Sequence, residues 1–237
     1  MCGRFYLYTL PEDIAAQLGA ALPPDLDWAR PRYNIAPTQD ILIVRASRDD
    51  DHREIRLARW GLVPHWAEDI SIGARLINAR SESAQTKPAF KNAFARRRCL
   101  IPANGFYEWQ PTAGGPKRPM RAQRPDGALL TMAGLWETWR DPKDPEIKLR
   151  SAAILTTDAN KTLAPIHHRM PVFLEGAARD RWLDPSADPD ALRGILAAAP
   201  DDLLETTEVS RRINRPENDD PTLLDPVETS PDPGLLF

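Results

Sequence analysis

The sequence predicts an α+β fold: one compact domain with a β-rich, mainly antiparallel core and short peripheral helices. Three observations carry this. Short segments rich in β-formers recur along the chain without the strand–helix–strand rhythm of repeated βαβ units. Twenty-four prolines cut the chain into short elements. A length of 237 residues with 42% hydrophobic residues suits a single domain with a sizeable core.

In chain order, Gly3 to Tyr8 alternates like a strand. Pro11 to Leu18 reads as a short helix, with Pro11, Glu12 and Asp13 in its first turn. Leu22 to Thr38, interrupted by Pro23, Pro24, Pro31 and Pro37, reads as an ordered loop. Ile41 to Arg45 and Ile55 to Val63 read as strands, and Ala89 to Arg97 as a helix with a basic end. Strands follow at Cys99 to Pro102, Phe106 to Gln110, Leu129 to Trp136 and Ala152 to Thr157. Ala177 to Leu183 and Pro189 to Ala199 read as helices, and Leu204 to Ser210 as a last strand. The domain is expected to span residues 1–215, with 216–237 a weakly ordered, Pro-rich, acidic tail.

The bulk properties exclude several classes. The first twenty residues lack a basic segment followed by an apolar run, and no stretch approaches the length of a membrane helix. Cys2 and Cys99 make no disulfide framework, which fits a reducing compartment and a cytoplasmic protein. Four histidines and two cysteines lack metal-ligand spacing, so neither a metal nor another cofactor is expected. The formal net charge is −3, yet the tail holds six acids (Glu217, Asp219, Asp220, Asp225, Glu228, Asp232) and no Lys or Arg, leaving residues 1–215 at +3. Of the 31 basic residues 25 are Arg, whose fork suits bidentate phosphate contacts; biased composition explains the same count.

Chemistry concentrates in a few clusters. Met1-Cys2-Gly3-Arg4-Phe5 opens the chain, and removal of Met1 gives Cys2 a thiol and a free α-amine on adjacent carbons. The amine titrates near ~7.7–8.0 and the thiol near ~8.5, so both are partly nucleophilic at neutral pH. Such a 1,2-aminothiol condenses with an aldehyde and closes a thiazolidine; the competing reading is a cysteine that merely packs. In Arg75-Leu76-Ile77-Asn78-Ala79-Arg80-Ser81-Glu82, Asn78 reads either as a turn or cap residue or as a site residue. Glu108, between Tyr107 and Trp109 in the cluster that begins at Cys99, either faces solvent or has a raised pKa suited to acid–base work. His167 and His168 precede Arg169 in Ile166-His167-His168-Arg169-Met170-Pro171, where a histidine suits proton transfer. Trp60, Trp66, Trp109 and Trp136 pack in a core or stack on bases, and Cys99 reads as core.

Together these clusters, with Tyr33-Asn34-Ile35-Ala36-Pro37-Thr38 and Trp60-Gly61-Leu62-Val63-Pro64, resemble the SOS-response-associated peptidase family, also called abasic-site processing proteins, from Cys2 to about Asn218. The resemblance implies a monomer that binds abasic sites in single-stranded DNA and links to them covalently, at the nucleoid when engaged. It implies Cys2 as the crosslinking residue, Asn78 as the group that positions the Cys2 amine or the sugar, and Glu108 and His167 as proton carriers. His167 is preferred over His168 because it matches the fixed position of the family motif. Arg4, Arg80 and Arg169 are implied to hold phosphates, with Pro37 and Trp109 along the DNA path. Lyase activity and self-removal of Met1 are implied as side activities.

Two rivals remain at this level. N-terminal-nucleophile glutamine amidotransferases also begin Met-Cys-Gly, but this chain has no room for their usual synthase domain. A non-catalytic single-strand binder would use only the Arg and Trp residues and show salt-sensitive binding without covalent adducts.

Overall fold

The structure is a computed structural model describing residues 2–28, 30–47 and 52–227. In chain order the strands are β1 (Phe5–Leu7), β2 (Ala20–Ala21), β3 (Arg32–Ile35), β4 (Asp40–Ala46), β5 (Arg53–Trp60), β6 (Asn78–Arg80), β7 (Arg98–Ala103), β8 (Gly105–Gln110), β9 (Arg118–Gln123), β10 (Leu130–Arg140), β11 (Lys148–Asp158), β12 (Arg169–Pro171) and β13 (Glu205–Glu208). The helices are α1 (Pro11–Leu18), α2 (Ser81–Ala84), α3 (Lys91–Arg96) and α4 (Ala177–Leu183).

One sheet is five-stranded and antiparallel, in the order β13-β9-β8-β1-β3. The other is eight-stranded, in the order β12-β11-β10-β7-β4-β5-β2, with β6 added on β11. A parallel pairing of β11 with β5, Ser151 opposite Arg59, closes β11, β10, β7, β4 and β5 into a ring. Apolar side chains from both sheets fill one core: the Phe5 and Trp60 rings meet edge to face at 5.1 Å, and Phe106 tilts against Phe173 at 6.0 Å. The α+β class expected from the sequence is thus observed, with mixed rather than purely antiparallel pairing.

Local chemistry explains the best-read helix. Pro11 starts α1, Glu12 and Asp13 face its positive end, and Ile14 and Leu18 are buried. Gly19 ends it in the left-handed region at φ 59°, donating its N–H to Ala15 O. At Gly105 a side chain is impossible, because a Cβ would collide with the Tyr6 ring across the β1–β8 pairing.

Three expectations change. Pro189 to Ala199 is no α-helix: successive three-residue turns run through it, only Arg193–Ile195 is a 3₁₀ turn, and the Asp188 carboxylate accepts the Asp190 N–H at 3.0 Å. Gly194 at its centre disfavours the longer helix by about 1 kcal/mol. The expected loop from Leu22 to Thr38 contains a strand, β3, because β1 offers it an open edge. The expected weakly ordered tail is in fact pinned over its first half. Asp219 accepts the Tyr33 and Asn34 backbone N–H groups and the Arg32 guanidinium, while the Asn34 amide donates to Arg215 O and Asn218 O. Buried hydrogen bonding outweighs the polar composition up to residue 227; residues 228–237 lie outside the described residues.

Candidate active site

The site assembles at the C-terminal end of β11. On one edge β6 runs parallel to it, placing Asn78 opposite Ile154 and Arg80 opposite Thr156. On the other edge β12 runs antiparallel, placing Arg169 opposite Asp158. Strand β8 brings Glu108 and Trp109 from the second sheet, and β1 follows directly from Cys2.

Cys2 is fully buried, and its Sγ–H points to Arg4 O at 4.0 Å. Burial pushes its thiol pKa up, and the Glu108 charge pushes it further the same way. The thiol is therefore neutral at pH 7. Asn78 Nδ2 donates to Cys2 O at 2.8 Å, while its buried Oδ1 has no hydrogen-bond partner among the described residues. Glu108 is only 6% exposed, and burial raises its carboxyl to about 6. It is thus poised to change protonation state near neutral pH.

His167 lies half-buried in the loop before β12, and that loop is held to the end of β8 by the Gln110 amide, which donates to Pro165 O at 3.4 Å. His167 Nδ1 lies 3.0 Å from the Arg169 backbone nitrogen and 3.2 Å from Arg169 O, so the Arg169 backbone fixes the ring's orientation. Burial lowers its pKa. His168 is exposed and stacks on His167 with centroids 4.4 Å apart.

The five expected DNA-contact residues occupy different settings. Arg4 lies 5.9 Å over the Trp109 ring and donates to Asn34 Oδ1 and Ile213 O, both at 2.7 Å. Trp109 is half-buried and its indole N–H donates to Asn214 Oδ1 at 2.8 Å. Pro37 lies half-buried in the turn between β3 and β4. Arg80 is exposed before α2 and lines an open cleft of about 560 Å³ that Asn78 also lines. Arg169 differs: it is buried, grips the Glu82 carboxylate at 2.6 and 2.9 Å, and also donates to Asp158 Oδ1 and Thr156 O. Every terminal N–H of that guanidinium is spent inside the protein, so Arg169 presents no donor fork to a groove.

Sequence reasoning missed Lys87 in this cleft and gave Arg75 no role. Arg75 and Lys87 line it beside Arg80, and Trp66, 52% exposed, stands at its rim. No carboxylate lines it among the described residues. A basic, aromatic cleft tied through Asn78 to Cys2 suits a polyanion. Among the described residues no cluster of His, Cys, Asp and Glu could hold a metal, and no helix is long and apolar enough to cross a membrane.

The family model described as SOS response associated peptidase (SRAP) matches residues 1–216. The chain belongs to the SRAP family. Among SRAP relatives, it is 38% identical to the abasic site processing protein YoqW of Bacillus subtilis, over 95% of this chain and 99% of that one. It is 32% identical to the abasic site processing protein HMCES of Gallus gallus, over 84% of this chain and 67% of that one. The fold matches a crystal structure of a protein from Bacteroides thetaiotaomicron with a TM-score of 0.83 and 24% identity, covering 95% of this chain and 100% of that one. The SRAP match covers all of the clusters that build the site.

Proposed function

We propose that this protein binds abasic sites in single-stranded DNA and captures them covalently through Cys2. The observation that carries the reading is the hydrogen bond from Asn78 to Cys2 O, beside the buried Glu108 charge, with Asn78 lining a cleft that holds Arg75, Arg80 and Lys87 and, among the described residues, no carboxylate. The names of the YoqW and HMCES relatives support it.

An abasic site in its ring-opened form is an aldehyde. Once Met1 is removed, the Cys2 amine adds to the aldehyde carbon, the Glu108 carboxylate takes the proton that the nitrogen sheds, and Glu108 or His167 returns it to the former carbonyl oxygen, which leaves as water. The Cys2 sulfur then adds to the resulting imine carbon as the thiol proton passes to the imine nitrogen, closing a thiazolidine. Asn78, fixed to Cys2 O, orients the amine, and its Oδ1 is a ready acceptor for an amine N–H or a sugar hydroxyl. An imine that does not close is open to β-elimination, which accounts for a lyase side activity. The protein acts as a monomer in the cytoplasm and joins the nucleoid when bound.

Intact mass spectrometry after incubation with an abasic single-stranded oligonucleotide tests the reading. Wild-type protein lacking Met1 is expected to gain the strand's mass less one water, and the Cys2→Ser variant to give no heat-stable adduct. Equal adduct formation by both proteins overturns it, and glutaminase activity without adducts favours the amidotransferase alternative.

A further inference from the structure

Two further clefts lie beyond Trp66, apart from the one that Asn78 lines. The first, about 510 Å³, is lined by His65, Asn92, Arg96 and Arg97; the second, about 290 Å³, by His65, Arg97, Thr138 and Arg140. They share His65 and Arg97, so they form one continuous furrow. His65 is the chain neighbour of Trp66, and Asn92 and Arg96 lie on α3, which follows directly from Phe90 of the Asn78 cleft. The furrow and the Asn78 cleft are therefore built from the same loop, and from α3 and the segment that leads into it.

The furrow's chemistry is one-sided. Arg96 and Arg140 are exposed, and no carboxylate lines either cleft among the described residues. Glu137 lies beneath, 2% exposed, where it accepts from Arg97 at 3.0 Å and from the Thr138 backbone N–H at 2.8 Å, with His65 Nδ1 at 3.6 Å. This buried acid holds Arg97 and His65 in place without offering negative charge to the surface. Another large cavity among the described residues contrasts with this: Asp25 and Glu54 interleave with Arg56 and Arg150 there, a mixed lining that repels a polyanion as much as it attracts one.

We propose that the furrow formed by His65, Arg96, Arg97 and Arg140 is a second phosphate-binding surface that holds a nucleic-acid strand continuing from the Asn78 cleft past Trp66. The inference rests on the reading that the Asn78 cleft binds DNA. It makes the footprint longer than the lesion site alone requires, and it assigns the extra contacts to backbone charge, hence to length rather than sequence.

The test compares undamaged single strands of about 5 and about 20 nucleotides, a range that brackets single-strand site sizes. Wild-type protein should bind the longer strand more tightly, with a steeper salt dependence. The Arg96→Glu/Arg140→Glu variant should bind the longer strand at least tenfold more weakly, and its slope of log K against log salt should shrink by about 2. Its affinity for the short strand and its adduct formation with a short abasic strand should match wild type. The neutral Arg96→Gln/Arg140→Gln variant should fall between the two, and unchanged thermal melting of both variants excludes misfolding. Wild-type affinity of the charge-reversed variant for the longer strand overturns the furrow while leaving the DNA reading intact. Failure of wild-type protein to bind either strand overturns both.

Discussion

The Asn78 side-chain amide and the Cys2 carbonyl are joined by a 2.8 Å hydrogen bond. It ties β6, on the edge of one sheet, to the residue that leads into the other. Removing the donor should misplace the nucleophile rather than unfold the protein. Asn78→Ala is expected to lower the crosslinking rate by about 10²-fold, a size typical of lost positioning, with oligonucleotide affinity near wild type. Single-turnover gel assays beside equilibrium binding measure the two effects separately.

Glu108 couples stability to pH with a definite sign. Its folded carboxyl titrates at about 6 against 4.5 for the unperturbed group. The folded state thus holds its proton more tightly, and this group's contribution falls as pH rises from 4.5 through about 6. Glu108→Gln should be more stable than wild type at pH 8 by about 2 kcal/mol, the free-energy equivalent of that shift, with the gain vanishing below pH 4. Denaturant melts at the two pH values decide this, and a wild-type protein equally stable at both relative to the variant contradicts it.

The same substitution should change the reaction's pH profile. Wild-type crosslinking is expected to fall as pH drops through about 6, where Glu108 becomes protonated. Glu108→Gln should be slower throughout and lack that inflection. Initial rates between pH 5 and 8 on an abasic strand provide the profile.

Arg80 and Arg169 should separate cleanly. Arg169 is buried, but its partners Glu82 and Asp158 are 51% and 86% exposed, so Arg169→Ala leaves both carboxylates hydrated and should cost about 1–2 kcal/mol of stability, chiefly through the lost bond to Thr156 O. Arg80 is exposed at the cleft, so Arg80→Ala should leave melting unchanged and weaken oligonucleotide binding in a salt-dependent way. Thermal melts and binding at two salt concentrations distinguish them.

Helix α1 was legible because every signal for it is local: a proline start, acids in the first turn, apolar residues at helical spacing and a terminal glycine. Strand β6 was not. Asn78-Ala79-Arg80 is too short to show a period, and its extended state comes from pairing with β11, more than 70 positions later. The same limit hid much of the site. Motif order singled out Asn78 and Arg169, but no local pattern tells that one side chain reaches Cys2 O while the other turns inward to Glu82. Lys87 belongs to no chemical motif and Arg75 opens the Asn78 cluster without a role of its own; the turn Ile70–Arg75 and the approach to α3 bring them to one cleft.

The segment after β13 has a consequence for how the protein is made. Arg4 and Asn34 both donate to Ile213 O, and Trp109 is held by Asn214. A ribosome delivers residue 4 long before residue 213. Throughout that interval the Arg4, Asn34 and Trp109 side chains lack these partners. The three side chains therefore take their final positions only once the C-terminal turns have been made.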